Sequence, residues 1–211
     1  MLRRLVDLVI TAARQAVPVG GIFALGWQPQ VAVAVYWIES VLLAAIAALL
    51  CVRLRDSTSG PPPAGSLTSG LNPRDVLGFH WGSLTIFGVF FAAILFILTM
   101  NGRIAPMNWI ELRGAATGIA VVLAAGFALD SLLLPDPTVA AVQARVDACL
   151  ARWALMWLLG FGGIIAMAFT GRPEIFFQWF AVLKLTWEGW GLMARTFGWK
   201  SLKERAAAGR G

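Results

Sequence analysis

Residues 76–100 read VLGFHWGSLTIFGVFFAAILFILTM, a run of 25 positions whose one ionisable side chain is His80. A helix needs about 20 apolar residues to cross the hydrocarbon core of a bilayer, so this stretch is long enough to span one. Similar runs flank it. Residues 31–52 carry only Glu39, residues 114–134 only Asp130, and residues 153–170, WALMWLLGFGGIIAMAFT, carry no ionisable group. Residues 174–197 are apolar and aromatic but hold Lys184 and Glu188, and residues 5–27 are interrupted by Asp7, Arg14 and Pro18. The pattern predicts an all-α polytopic transmembrane helix bundle of six spans, with residues 5–27 as its weakest member.

Composition points the same way. Of the 211 residues 59% are hydrophobic and 13% charged, against about a quarter charged in ordinary soluble domains. The net charge of +6 does not mark a nucleic-acid surface, because the basic residues lie at the ends of apolar runs. With six spans, Arg3, Arg4, Arg53, Arg55, Arg74, Arg145, Arg152, Arg195, Lys200, Lys203, Arg205 and Arg210 fall on one side. Only Arg103, Arg113 and Arg172 fall on the other. The positive-inside rule then places both termini in the cytoplasm.

One domain is expected over residues 1–200, with a Ser/Gly/Pro-rich linker at 55–71 and a basic tail at 201–211. Residues 137–150 read as a short amphipathic helix on the membrane surface. Asn72-Pro73-Arg74-Asp75 and Arg172-Pro173-Glu174 have the composition of helix starts. Asp7, Arg14 and Gln15 break the apolar region that a cleavable leader would need after Met1-Leu2-Arg3-Arg4, so none is expected. Cys51 and Cys149 lack metal-type spacing and read as reduced, structural thiols. Trp27, Trp109, Trp153 and Trp199 fall at span ends and read as interfacial anchors.

No phosphate-binding loop, HExxH, CxxC or nucleophile elbow occurs, so no catalytic residue, metal site or cofactor is expected. The informative residues are the ionisable ones inside apolar runs. A lone charge near the bilayer centre costs about 2.5–3.5 kcal/mol on insertion scales, so such groups face the bundle and find partners. Counting about 1.5 Å per residue from the span ends separates Glu39 and His80 by about 12 Å in depth. It pairs Glu39 with Lys184 and His80 with Glu188. Lys184 and Glu188 also share a helix face at i,i+4, and Tyr36, one turn before Glu39, is placed to donate its hydroxyl to the carboxylate. Asp130 and Arg152 fall near the inner edge, where they can snorkel. Gly78-xxx-Gly82 and Gly114-xxx-Gly118 read as close helix-packing motifs.

Several of these motifs together resemble a known family. They are Pro18-Val-Gly20 followed by Gly26-Trp27, Tyr36-Trp37-Ile38-Glu39, Phe79-His80-Trp81-Gly82, and Leu183-Lys184 with Glu188 four residues on. The chain resembles the prokaryotic multipass membrane proteins grouped as domain of unknown function 6498. Their pattern has a tyrosine-tryptophan-x-glutamate motif, a histidine-aromatic-glycine motif and a lysine followed by an acid. Members often carry aspartate where this chain has Glu188, and a bulkier residue at Gly78. The resemblance implies a six-helix fold in a prokaryotic inner membrane and supplies no activity. Two functions are therefore expected. In one, the buried Glu/His/Lys network binds or moves a proton, ion or small polar solute. In the other, the chain is a structural or accessory subunit of a membrane complex or a homo-oligomer, and the network serves packing. The bilayer is the expected partner, and nucleic acid is not.

Overall fold

The structure is a computed structural model that describes residues 2–53, 73–133 and 139–196. The expected linker at 55–71, the tail at 201–211 and Trp199 lie outside the described residues. Six helices follow in order: α1 Leu2–Ala24, α2 Pro29–Arg53, α3 Pro73–Met100, α4 Trp109–Leu133, α5 Val139–Thr170 and α6 Pro173–Thr196. Four contain stretches long and apolar enough to cross a membrane: Gln30–Val52, Asp75–Met100, Trp109–Leu129 and Val142–Thr170. This is a helical membrane protein. Among the described residues α1 and α6 are not in that group; Arg14 lies within α1, and Lys184 and Glu188 within α6.

Each connection has a local cause. α1, α3 and α5 are followed by Gly26, Gly102 and Gly171, all at φ between 63° and 67°, a conformation that only glycine adopts without strain. Asn108 caps α4, its side-chain oxygen accepting from Ile110 N at 3.1 Å and Glu111 N at 3.4 Å. Asn108 Nδ2 donates to Glu111 Oε1 at 2.7 Å, and Glu111 Oε2 accepts from Gln28 N at 3.2 Å. Gln28 Oε1 accepts from Asn108 N at 3.3 Å and from Gln30 Nε2 at 2.9 Å. This polar knot ties the α1–α2 turn to the α3–α4 loop and defines one end of the bundle, here the loop end. The opposite end, where α2 finishes and α3 begins, is the linker end.

Helix α2 is the hub and touches all five other helices. Its sequence suits the role, since small residues such as Ala32, Ala34, Ala44 and Ala47 line its buried faces and admit neighbours closely. Tyr36, Leu84, Phe87, Phe91, Leu155, Met156, Leu159, Phe176, Phe177 and Phe180 form an aromatic-rich cluster toward the loop end. A second cluster of Ala47, Cys51, Val76, Leu77, Val142, Val146 and Cys149 occupies the linker end. Both cysteines are buried within it and neither forms a disulfide. A third, built on Val31, Val35, Ala115, Ile119 and Leu123, joins α2 to α4. Outward positions are equally apolar: Phe79, Ile86, Phe96, Ile110, Leu132 and Phe169 are all exposed. Exposed apolar side chains this dense fit a lipid solvent and not water.

Three expectations are corrected. Residues 139–150 do not lie on the surface as a separate helix. They are the first turns of α5, which runs unbroken for 32 residues. The reason is that Val142, Val146 and Cys149, spaced for one helix face, bury against α2 and α3. Trp153 sits mid-helix, edge-on to Phe79 with ring centroids 5.5 Å apart, and is not a terminal anchor.

The third correction concerns glycine. An added Cβ at Gly78, Gly82 or Gly114 would meet nothing within 4 Å, so these residues make no close helix contact among the described residues. Of the expected pairs only Gly118 does, 3.5 Å from Val17. The close approaches are made instead by glycines outside those motifs, such as Gly88 against Trp37 and Gly163, where a Cβ would lie 2.7 Å from the Phe176 ring. Gly163→Ala is therefore expected to destabilise by about 1–3 kcal/mol through overpacking. Gly78→Ala and Gly82→Ala should be neutral or stabilising by up to about 1 kcal/mol through helix propensity. Comparative melting in one detergent checks both directions at once.

Candidate functional site

Between the two apolar clusters lies a polar layer. Glu39 projects from α2 into the bundle with no exposed surface, and cations from three other helices converge on it. Arg14 of α1 reaches Glu39 Oε1 with Nε at 2.6 Å and Nη2 at 2.5 Å. Arg152 of α5 places Nη2 at 2.8 Å from Glu39 Oε2 and 2.6 Å from Glu188 Oε1 of α6. Lys184 Nζ, also on α6, stands 3.5 Å from Glu39 Oε2. One carboxylate thus joins α1, α2, α5 and α6, and one guanidinium extends the network to Glu188.

Tyr36 forms the aromatic wall of this layer. Its ring centroid lies 5.1 Å from Arg152 Cζ and 4.8 Å from Lys184 Nζ, both within cation–π range. The ring packs edge-on against Phe180 at 5.7 Å. The Tyr36 hydroxyl makes no hydrogen bond, so the expected Tyr36–Glu39 bond is not formed. The two carboxylate oxygens are ion-paired with arginines instead, Oε1 with Arg14 and Oε2 with Arg152. Ser40 Oγ turns back to Tyr36 O at 2.9 Å.

His80 belongs to the same layer by height. Trp37 Nε1 donates to Leu84 O at 3.0 Å, which sets α2 against α3 in register. From that rung His80 is four residues back along α3 and Glu39 two residues on along α2, so their levels differ by about 3 Å. The expected separation was too large because apolar runs do not begin flush at one membrane plane. Yet His80 is fully buried with neither ring nitrogen bonded, and the expected His80–Glu188 pair is absent. Glu188 pairs with Arg152 instead.

Sequence reasoning thus brought Glu39 and Lys184 together correctly and missed both arginines. Arg14 was visible as a charge inside a span but was given no partner. Arg152 was assigned to the membrane edge because its apolar run began at Trp153, whereas α5 continues through it. The side chain of Asp130 lies outside the described residues. Among the described residues, no three histidine, cysteine or acidic side chains gather as a metal site.

A family of unknown function, DUF6498, matches residues 2–207. The chain belongs to that family. The match covers all six helices, so the charged layer of this family member lies wholly within the shared region. No curated protein and no solved structure matches the chain.

Proposed function

We propose that this DUF6498 protein crosses a prokaryotic inner membrane six times, with both termini cytoplasmic, and binds a small anion in its mid-bundle layer. The observation that carries the anion reading is the charge balance around Glu39. Three cations, Arg14, Arg152 and Lys184, share two carboxylates, Glu39 and Glu188, in the interior of an apolar bundle. Three cations and two acids give these five side chains a formal excess of one positive charge, and a positively charged interior favours an anionic guest. The wall adds two buried, unbonded groups able to donate, the Tyr36 hydroxyl and Arg152 Nε.

Six crossings are supported by how α1 and α6 pack. α1 is 23 residues long, about 34 Å at 1.5 Å per residue. It runs antiparallel along α4, with Val17 beside Gly118 and Ile10 beside Gly126. The charges that make α1 and α6 look unlike spans, Arg14, Lys184 and Glu188, are those that turn inward to the layer. With Arg152 inside the layer, eleven basic residues against three across the two faces support cytoplasmic termini.

A second reading has its own observation. Glu39 is sealed by direct ion pairs, as in a purely structural clasp, which fits an accessory subunit of a membrane complex. Lys184→Met separates the two. Lys184 is the most distant of the three cations, and without it two cations still balance two acids. The variant is expected to fold with a smaller stability loss than removal of Glu39 or Arg152, because it leaves no acid without a cation. Its affinity for small carboxylates or phosphate, titrated by calorimetry in nanodiscs, is expected to fall at least about tenfold. Absence of anion binding by the folded wild type, or equal binding by the variant, would leave only the clasp.

A further inference from the structure

Buried polar atoms without a protein partner are unevenly placed along the bundle. Among the described residues, besides the ion-paired Glu39, they belong to Tyr36, His80, Arg152, Trp153, Trp157 and Gln143. Tyr36, His80, Arg152 and Trp153 share the polar layer, and Gln143 lies nine residues before Arg152 on α5, toward the linker end. An uncharged imidazole offers one donor and one acceptor, and leaving both unmade in a low-dielectric interior is costly. His80 is 1% exposed and has neither satisfied by protein. Its natural occupant is small and both donates and accepts, which describes water.

The two apolar clusters differ as barriers to that water. On the loop side the layer is covered by Leu84, Phe87, Phe91, Phe176, Phe177 and Phe180, and beyond them the Gln28–Asn108–Glu111 knot closes the end. His80 is 20 residues from the α3 terminus on that side, about 30 Å of helix. On the linker side it is seven residues from Pro73, about 10 Å. Among the described residues, the cluster filling that distance contains no aromatic ring, being built from alanine, valine, leucine and cysteine. Gln143 is buried beside it with its amide nitrogen unbonded, so that half of the bundle is not uniformly apolar.

We infer that water enters the bundle from the linker end and reaches His80, so that the polar layer is open to that face and closed to the other. This gives the proposed anion site its side of entry. It does not require anion binding, because hydration of His80 and anion affinity are separate measurements.

His80 is the single histidine of the chain, so selective ¹⁵N-histidine labelling yields the two ring nitrogens of one residue, with no ambiguity about which residue they report. In lipid bilayers, magnetisation transferred from water is expected to reach that ring in the wild-type protein. Leu77→Ala opens space one turn toward the linker end and is expected to raise the transfer rate by about twofold or more. Leu84→Ala, one turn toward the loop end, is expected to leave it unchanged because the phenylalanine layers remain. A wild-type ring that receives magnetisation from lipid alone overturns the inference. So does a Leu84→Ala effect equal to that of Leu77→Ala.

Discussion

Replacing Glu39 with alanine is expected to destabilise the protein by about 3–5 kcal/mol, the range found when one member of a buried charge network is removed. The carboxylate is wholly buried and neutralises Arg14, Arg152 and Lys184 together. Without it the acid left among these five side chains is Glu188, set against three cations. Relaxation toward water is limited because Arg14 and Arg152 expose only 13% and 15% of their side chains. The loss should also be local. Arg14–Glu39 is the ion pair that links α1 to α2 among the described residues, so protease sensitivity within α1 should rise before global unfolding. Denaturant titration in a fixed detergent, with limited proteolysis alongside, measures both. A change below about 1 kcal/mol would mean that the three cations find other partners at little cost.

The second large effect falls on Arg152, a residue that apolar-run counting leaves at the membrane edge. Arg152→Met is expected to cost about 3 kcal/mol, well above Lys184→Met, although each removes one positive charge. Geometry makes the difference. Arg152 touches Glu39 at 2.8 Å and Glu188 at 2.6 Å through one nitrogen, and its planar fork also stacks over Tyr36. Lys184 approaches Glu39 at 3.5 Å. If stranding Glu188 is the main penalty, adding Glu188→Gln to Arg152→Met should recover about 1 kcal/mol or more. A double variant no better than the single one would put the cost in packing of the arginine stem. Both comparisons can be read from one series of melts.

How legible was this site? Glu39 and Lys184 stood out because a charge inside an apolar run must find a partner, and that constraint is local to the sequence. Their pairing follows from similar depth in two spans. Depth counting failed for His80 because it measures from the ends of hydrophobic runs. Helices of 25 and 28 residues need not start at one plane, and the Trp37–Leu84 hydrogen bond sets the register. Arg152 was misread for a related reason, since composition ends an apolar run at the first charge while the backbone carries α5 on beneath it. The glycine motifs failed differently. Spacing alone cannot say whether the face it marks meets another helix or lipid, and Gly78, Gly82 and Gly114 face outward.

The amino-acid sequence by itself determined that this protein is a membrane-embedded helix bundle. Six segments, their approximate limits and the need to hide Glu39 within them follow from hydrophobic length and the cost of burying charge, quantities that each segment carries alone. Only the tertiary structure decided which cations complete the layer. Choosing Arg14 and Arg152 over His80 depends on the rotation and axial offset of five helices around α2, and those are set by side-chain packing between segments far apart in the chain.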